Sequence, residues 1–344
     1  TLFGFLPAPT GVDVKFGISG DGVLGGLPAS ISLAIGGGYE VEEVYRTGDG
    51  ANLTTVADVS RISIDRFAVY VEPAFTQQLS ATPLDLYFGA RVYFRENLPS
   101  PNAIHSSGSY FPDEIRLLET SIRPGIRYKT LKTDRPHGDM RGIDTGTLIE
   151  WAPSFLGNRI VGTADYARLN AAVRYYTPLF DIAPDRKLNL FNAYFAGQVA
   201  ADWLTGTSVP FHEQAKFGGL YPKQGMGGNI RGFENFEHPA LFKSALNLEA
   251  RFVGPAFFIE TIFPVLVTFI DVGYFSGFKA DGYFKPANDS DIESSNGVLA
   301  SAGATISLNL MGITYIGFTF AVPLAGTRAD DSGIDTALAI GLHF

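Results

Sequence analysis

SALNLEARF, residues 244–252, alternates without a break. Leu246, Leu248, Ala250 and Phe252 fall on one side; Asn247, Glu249 and Arg251 fall on the other. That is the two-residue period of a β-strand with one apolar and one polar face. The pattern recurs along the chain. In LDLYFGARVYF (84–94), Leu84, Leu86, Phe88, Val92 and Phe94 oppose Asp85, Tyr87, Arg91 and Tyr93. In TSIRPGIRYKTL (120–131), Ile122, Pro124, Ile126 and Tyr128 oppose Ser121, Arg123, Gly125, Arg127 and Lys129. In GATISLNL (303–310), Ile306, Leu308 and Leu310 oppose Thr305, Ser307 and Asn309.

Strands of a soluble sandwich run about five or six residues. These are longer, and their polar faces are crowded with Arg, Glu and Tyr. Strands of about 9–11 residues, apolar outside and polar inside, suit a barrel whose outer solvent is lipid. Closure follows, because hydrocarbon cannot satisfy an open sheet edge.

Composition agrees. Hydrophobic residues make up 46% of the 344, with 28 Phe, 15 Tyr and 39 Gly, yet the mean hydropathy is only +0.11. Apolar and polar residues are therefore finely interleaved. The absence of cysteine excludes a disulfide framework and thiolate metal sites. A net charge of −9 with no basic patch argues against nucleic acid. The most apolar run, FVGPAFFIETIFPVLVTFI (252–270), contains Pro255, Glu260 and Pro264, so it reads as strand, turn and strand rather than a membrane helix.

The expected fold is thus all-β: one closed antiparallel transmembrane β-barrel over residues 1–344. Thirteen segments have strand character, from 12–20 and 28–46 through to 335–344. Single-chain bacterial barrels have even strand numbers and periplasmic termini. Twelve strands from 28–46 onward satisfy that rule, with 14 or 16 as alternatives and residues 1–27 tucked into or under the barrel. The turn 79–83 is then periplasmic, and 97–117, 204–241 and 276–297 are long outer loops. In the last segment, ALAIGLHF, Leu338, Ile340, Leu342 and Phe344 share one face. Leu342 and Phe344 have the form of an outer-membrane assembly signal.

One loop carries an unusual motif, GGNIRGFENF at 227–236. If this loop folds inward, Arg231 can meet Glu249 and Asp271, since a guanidinium fork bridges two carboxylates as lysine cannot. Gly227, Gly228 and Gly232 allow close approach to the wall, and Phe233 can wedge against it. The competing reading is a solvated arginine in an outside loop.

Ile230, Arg231, Gly232 and Phe233 resemble the (Val/Ile)-Arg-Gly-(Phe/Tyr) motif in the long loop of the BamA/TamA superfamily of outer-membrane assembly and translocation barrels. VPFHEQAKFGG (209–219) resembles the lead-in to that loop, and SALNLEARF the strand after it. VTFIDVG (267–273) resembles the next strand's Phe-x-Asp-x-Gly signature, carried here by Phe269, Asp271 and Gly273. The resemblance is good over 118–344 and loose over 1–117, and Lys129–Asp134 departs from the family's acidic turn. It implies an outer-membrane barrel of a Gram-negative-type bacterium that assists insertion or translocation of proteins or lipids. Client outer-membrane proteins, membrane lipids and a separate periplasmic partner are the implied partners, and no cofactor or metal is implied. The chain resembles a barrel-only member without periplasmic POTRA domains. Its closing strand, with Ala337, Ala339 and Gly341, would form a weak seam with the first.

Other classes have less support. His105, His137, His212, His238 and His343 are scattered, and no G-x-S-x-G elbow accompanies them, so no enzyme is expected. A G-x-G-x-x-G reading from Gly225 meets Ile230 at its third glycine. A passive pore or structural barrel is the main alternative. The inward charges Glu72, Arg91, Arg123, Arg127, Glu150 and Arg174 would then line a selectivity path, whereas in a filled barrel they form an internal network. Trp151 and Trp203 are candidates for the interfacial girdles.

Overall fold

A computed structural model describes residues 2–8, 11–47, 59–79, 83–99, 116–134, 138–181, 191–221, 225–233, 238, 240–255, 262–277, 296–310, 314–326 and 335–342. The strands are β1 (Leu2–Ala8), β2 (Gly11–Leu24), β3 (Leu27–Thr47), β4 (Val59–Gln78), β5 (Leu84–Pro99), β6 (Arg116–Lys129), β7 (Lys132–Asp134), β8 (Gly138–Ala152), β9 (Asp165–Asp181), β10 (Asn192–Ser208), β11 (Phe242–Val253), β12 (Ile262–Ser276), β13 (Asn296–Leu310), β14 (Thr314–Ala325) and β15 (Asp335–Leu342). A short helix, α1 (Phe211–Ala215), lies between β10 and β11. Each strand pairs antiparallel with its sequence neighbour in a single sheet that runs from β1 to β15, and only the short β7 hangs off the path, on β8. Among the described residues, no helix is long and apolar enough to cross a membrane.

The twelve segments expected from 28–46 onward are present, in order, as β3 to β6 and β8 to β15. The N-terminal segment differs from expectation. Instead of tucking in as a separate piece, segment 12–20, already given strand character, lies within β2, and residues 2–8 form a further strand of the same sheet. Leu2–Ala8 pairs with Gly11–Gly17, and β2 pairs with β3 from Gly11↔Glu40 to Leu24↔Leu27. Backbone ladders do not need alternating side chains. Gly17, Gly20 and Gly22 interrupt the apolar pattern that the sequence reading relied on. Gly25 and Gly26, at φ 62° and 81°, make the two-residue turn into β3.

The two faces of the sheet differ as the alternation requires. On β12, Leu266, Ile270, Val272 and Tyr274 are exposed, while Phe269, Asp271 and Phe275 are buried. Phe88, Ile126, Trp151, Val199, Trp203, Leu246 and Ile306 join the exposed apolar face. A continuous apolar surface of this extent is out of place in water and matches a lipid-facing wall.

Register organises the covered face into rows. Gly146, Ala172, Ala200, Ala245 and Gly273 stand opposite one another across β8 to β12, forming a row of small side chains. One step along the strands, Asp144, Arg174, Gln198, Asn247 and Asp271 form a polar row. One step the other way lie Leu148, Asn170, Asp202, Lys243 and Phe275. The result is a shallow trough with polar banks.

Replacing Ile270, 51% exposed on the outer face, by arginine is expected to destabilise the protein by about 2–4 kcal/mol in lipid, the cost of a charge at the bilayer midplane. Urea unfolding in phospholipid vesicles measures this. No loss of stability would mean that this face does not meet hydrocarbon.

Candidate functional site: a loop anchored on the covered face

The segment between β10 and β11 occupies the trough. Phe217, Tyr221, Met226, Ile230, Phe233 and Ala240 form one buried apolar cluster with Ala172, Ala200, Ala245, Phe275 and Leu299 of the sheet. The small row makes the room. A Cβ added at Gly273 would lie 2.4 Å from Met226 Cε and 2.8 Å from Ile230 Cγ1, and one at Gly146 would lie 2.6 Å from Leu220 Cδ1.

Arg231 anchors the later part of the loop on the wholly buried Asp271. Its Nε and Nη2 donate to Asp271 Oδ2 and Oδ1 at 2.7 and 2.8 Å, and its backbone N–H donates to Oδ2 at 3.1 Å. Its Nη1 lies 2.8 Å from Glu249 Oε1, and the guanidinium stacks 3.6 Å from the Phe269 ring centre. These partners are cross-strand neighbours: Asn247 opposes Asp271, and Glu249 opposes Phe269. Asn247 Nδ2 donates both to Asp271 Oδ1, at 2.9 Å, and to the loop carbonyl of Asn229, at 2.7 Å. A slip of one residue between β11 and β12 would turn half of this socket outward. Burial works against the Arg231 charge, but Asp271 and Glu249 overcome it and hold the guanidinium pKa above its ordinary value.

The structure therefore brings together Ile230, Arg231, Gly232 and Phe233 with Glu249, Phe269, Asp271 and Gly273. Gly232 has φ 89°, and a Cβ there would lie 3.1 Å from that of Ala321 on β14. Leu342 ends β15 opposite Thr314; Phe344 lies outside the described residues.

The inward charges pair with one another and with the loop. Arg91 Nη2 lies 2.8 Å from both Glu119 and Glu150, and Arg123 reaches Glu72 at 3.2 Å. Arg127 makes a two-pronged pair with Asp144 at 2.7 and 2.8 Å. Asp144 also accepts from Tyr221 at 2.7 Å, and Arg174 stacks 4.0 Å from the Tyr221 ring. Burial and the bond to Asp144 push the Tyr221 hydroxyl pKa up.

Sequence reasoning missed the other half of the anchorage, the part that holds α1. Buried Arg168 pairs with Glu213 of α1, donates to the Glu213 carbonyl at 2.6 Å, and reaches Glu150 and Asp202 at 3.3 Å. Burial alone would raise the Glu213 carboxyl, but Lys216, Arg168, Arg91 and Arg95 hold it well below the usual carboxylate range. Buried Lys243 donates to the carbonyls of Gln214 and Lys216 at the end of α1, and Gly218 N–H donates to Asp202 at 3.2 Å. The available signal was polar residues at inward strand positions, Arg168, Asp202 and Lys243, each facing a loop with a complementary charge or free carbonyl.

The loop thus touches residues on successive strands from β5 to β14, so the sheet curls around it. No protein-family profile and no curated protein matches the chain. Among solved structures it is similar to CdiB from Escherichia coli, with a TM-score of 0.57 and 13% identity over 96% of this chain and 52% of that one. It is also similar to CdiB from Acinetobacter baumannii, with a TM-score of 0.52 and 11% identity over 96% of this chain and 50% of that one. The chain spans about half the length of these structures. At these identities the likeness shows a shared fold alone, and singles out no branch such as BamA/TamA.

Arg231→Ala leaves Asp271 buried without its cation, and is expected to cost about 2–5 kcal/mol. Arg231→Lys recovers only part, because an ammonium cannot make the two-pronged bond. Denaturant titration and limited proteolysis of the loop report both. Wild-type stability and protease resistance in Arg231→Ala would remove the anchor from this account.

Proposed function

We propose that the chain is an outer-membrane barrel, closed by its end strands, that moves or inserts other proteins and is plugged at rest by its own loop. One observation carries the reading: a loop fixed by buried ion pairs to the inner wall, on a fold similar to that of CdiB. A structural strut would need only apolar packing. Here a two-pronged arginine clamp and a charge network hold the loop. Such contacts are strong in a dry site but exchange readily for water when the loop lifts. They therefore suit a plug that must leave.

The clients are unfolded outer-membrane or exported polypeptides, bound without cofactor or catalysis. A periplasmic partner protein delivers them, and membrane lipid surrounds the wall. Lateral insertion through the seam is the second reading. It is favoured by Ala337, Ala339 and Gly341 on β15, small residues that add little cross-strand packing to the pairing with β14.

The chain has no native cysteine, so an engineered tether is clean. A Cβ at Gly232 would lie 3.7 Å from Ser301 Cβ, within disulfide range. In planar bilayers, Gly232→Cys/Ser301→Cys is expected to stay closed when oxidised and to open in steps when reduced, with Arg231→Ala open longer than wild type. In proteoliposomes the same tether should block uptake or insertion of an unfolded β-barrel protein. Equal conductance and equal client handling in the two redox states would exclude a mobile plug and leave a passive or structural barrel.

A further inference from the structure

Away from the Arg231 socket, three unengaged ligand atoms face one point. They come from Glu119 on β6 and from His212 and Glu213 on α1. His212 Nε2 lies 3.0 Å from Glu213 Oε1 and 3.8 Å from Glu119 Oε2, and one ligand atom from each residue lies within 4.8 Å of the others. The side chains are 3%, 1% and 1% exposed. Among the described residues these three atoms have no hydrogen-bond partner. The other oxygen of each carboxylate is engaged. Glu119 Oε1 accepts from Arg91 at 2.8 Å and from Tyr166 at 3.0 Å, and Glu213 Oε2 accepts from Arg168. Apart from His212, only longer contacts reach this Glu213 oxygen, from Arg91 at 3.6 Å and Lys216 at 3.7 Å.

We propose that Glu119, His212 and Glu213 bind one divalent transition-metal ion, with Zn2+ the best match. Imidazole and carboxylate are both zinc ligand types, and three protein ligands leave a fourth position open. With bonds of about 2.0–2.1 Å, tetrahedral ligand atoms stand roughly 3.3 Å apart, between the two distances seen here. Mg2+ and Ca2+ would want more oxygen ligands than this point supplies. Arg91, Tyr166 and Arg168 act as the outer layer, each orienting a ligand through the oxygen that the metal does not use. The ion adds positive charge close to Arg91, Arg95, Arg168 and Lys216, of which Arg91 and Arg168 remain matched by Glu150 and Asp202. Arg91 keeps its bond to Glu150 at 2.8 Å when its long contact to Glu213 gives way. The ion would join α1 to β6 and so pin the first half of the loop, at a distance from Arg231.

The full chain, unfolded with EDTA and refolded in detergent, is titrated with Co2+ as a spectroscopic probe, followed by Zn2+ in competition. The expected result is one equivalent of Co2+ with an intense visible band, displaced by Zn2+. In His212→Ala and Glu119→Gln, refolding is checked by heat-modifiable mobility, and affinity is expected to fall about 100-fold or more. Refolded wild-type protein that takes up no stoichiometric Co2+ or Zn2+ overturns the site, as does equal binding in His212→Ala. A histidine that only shares a proton with Glu213 would give the first of these results. Binding is read directly, so the outcome does not depend on whether the barrel moves clients.

Discussion

The structure depends on one constraint: a charge taken out of water must find its partners inside the wall. Arg231 is carried inward on a loop and meets Asp271, Glu249 and Phe269, which face the same way only because β11 and β12 are in a single register. The pairing works in both directions. The strands supply the socket, and the filled socket opposes any slip of the strands, since a one-residue shift would leave a buried charge without a counterion.

The trough explains how such a loop fits at all. A face lined entirely by large polar side chains would fill itself. Here a row of glycine and alanine crosses five strands, and Leu220, Met226 and Ile230 lie over it. The banks then do separate work. On one side Tyr221 and Arg231 meet Asp144 and Asp271. On the other, Gly218 and the end of α1 meet Asp202 and Lys243. Apolar contact in the middle sets the depth of the loop, and the charges at the sides set its position along the wall.

This division suits a plug better than a permanent core. Dry apolar contact alone gives no address, and buried charge alone is costly. Together they make one resting position with a defined set of contacts to break. Strand β11 carries a contact of each anchor, Lys243 for the end of α1 and Glu249 for Arg231, so a single register serves both halves of the loop.

Much of this was legible in the sequence. The period of two in segments such as SALNLEARF determined which residues form the exposed apolar face, because a strand has no other way to segregate them. Arg231, Glu249 and Asp271 were recognisable as partners because a guanidinium between glycines needs carboxylates, and both stood at inward positions. The strand at 2–8 was not legible, and 12–20 was read as strand-like but left out of the wall, since glycine weakens the alternation while leaving the backbone free to pair. Tertiary structure alone decided the rest. The small row from Gly146 to Gly273 and the convergence of Glu119 with His212 and Glu213 exist only once register sets distant strands side by side. Register is a relation between segments, fixed by the summed ladder and by what must fit against it, and no single segment carries it.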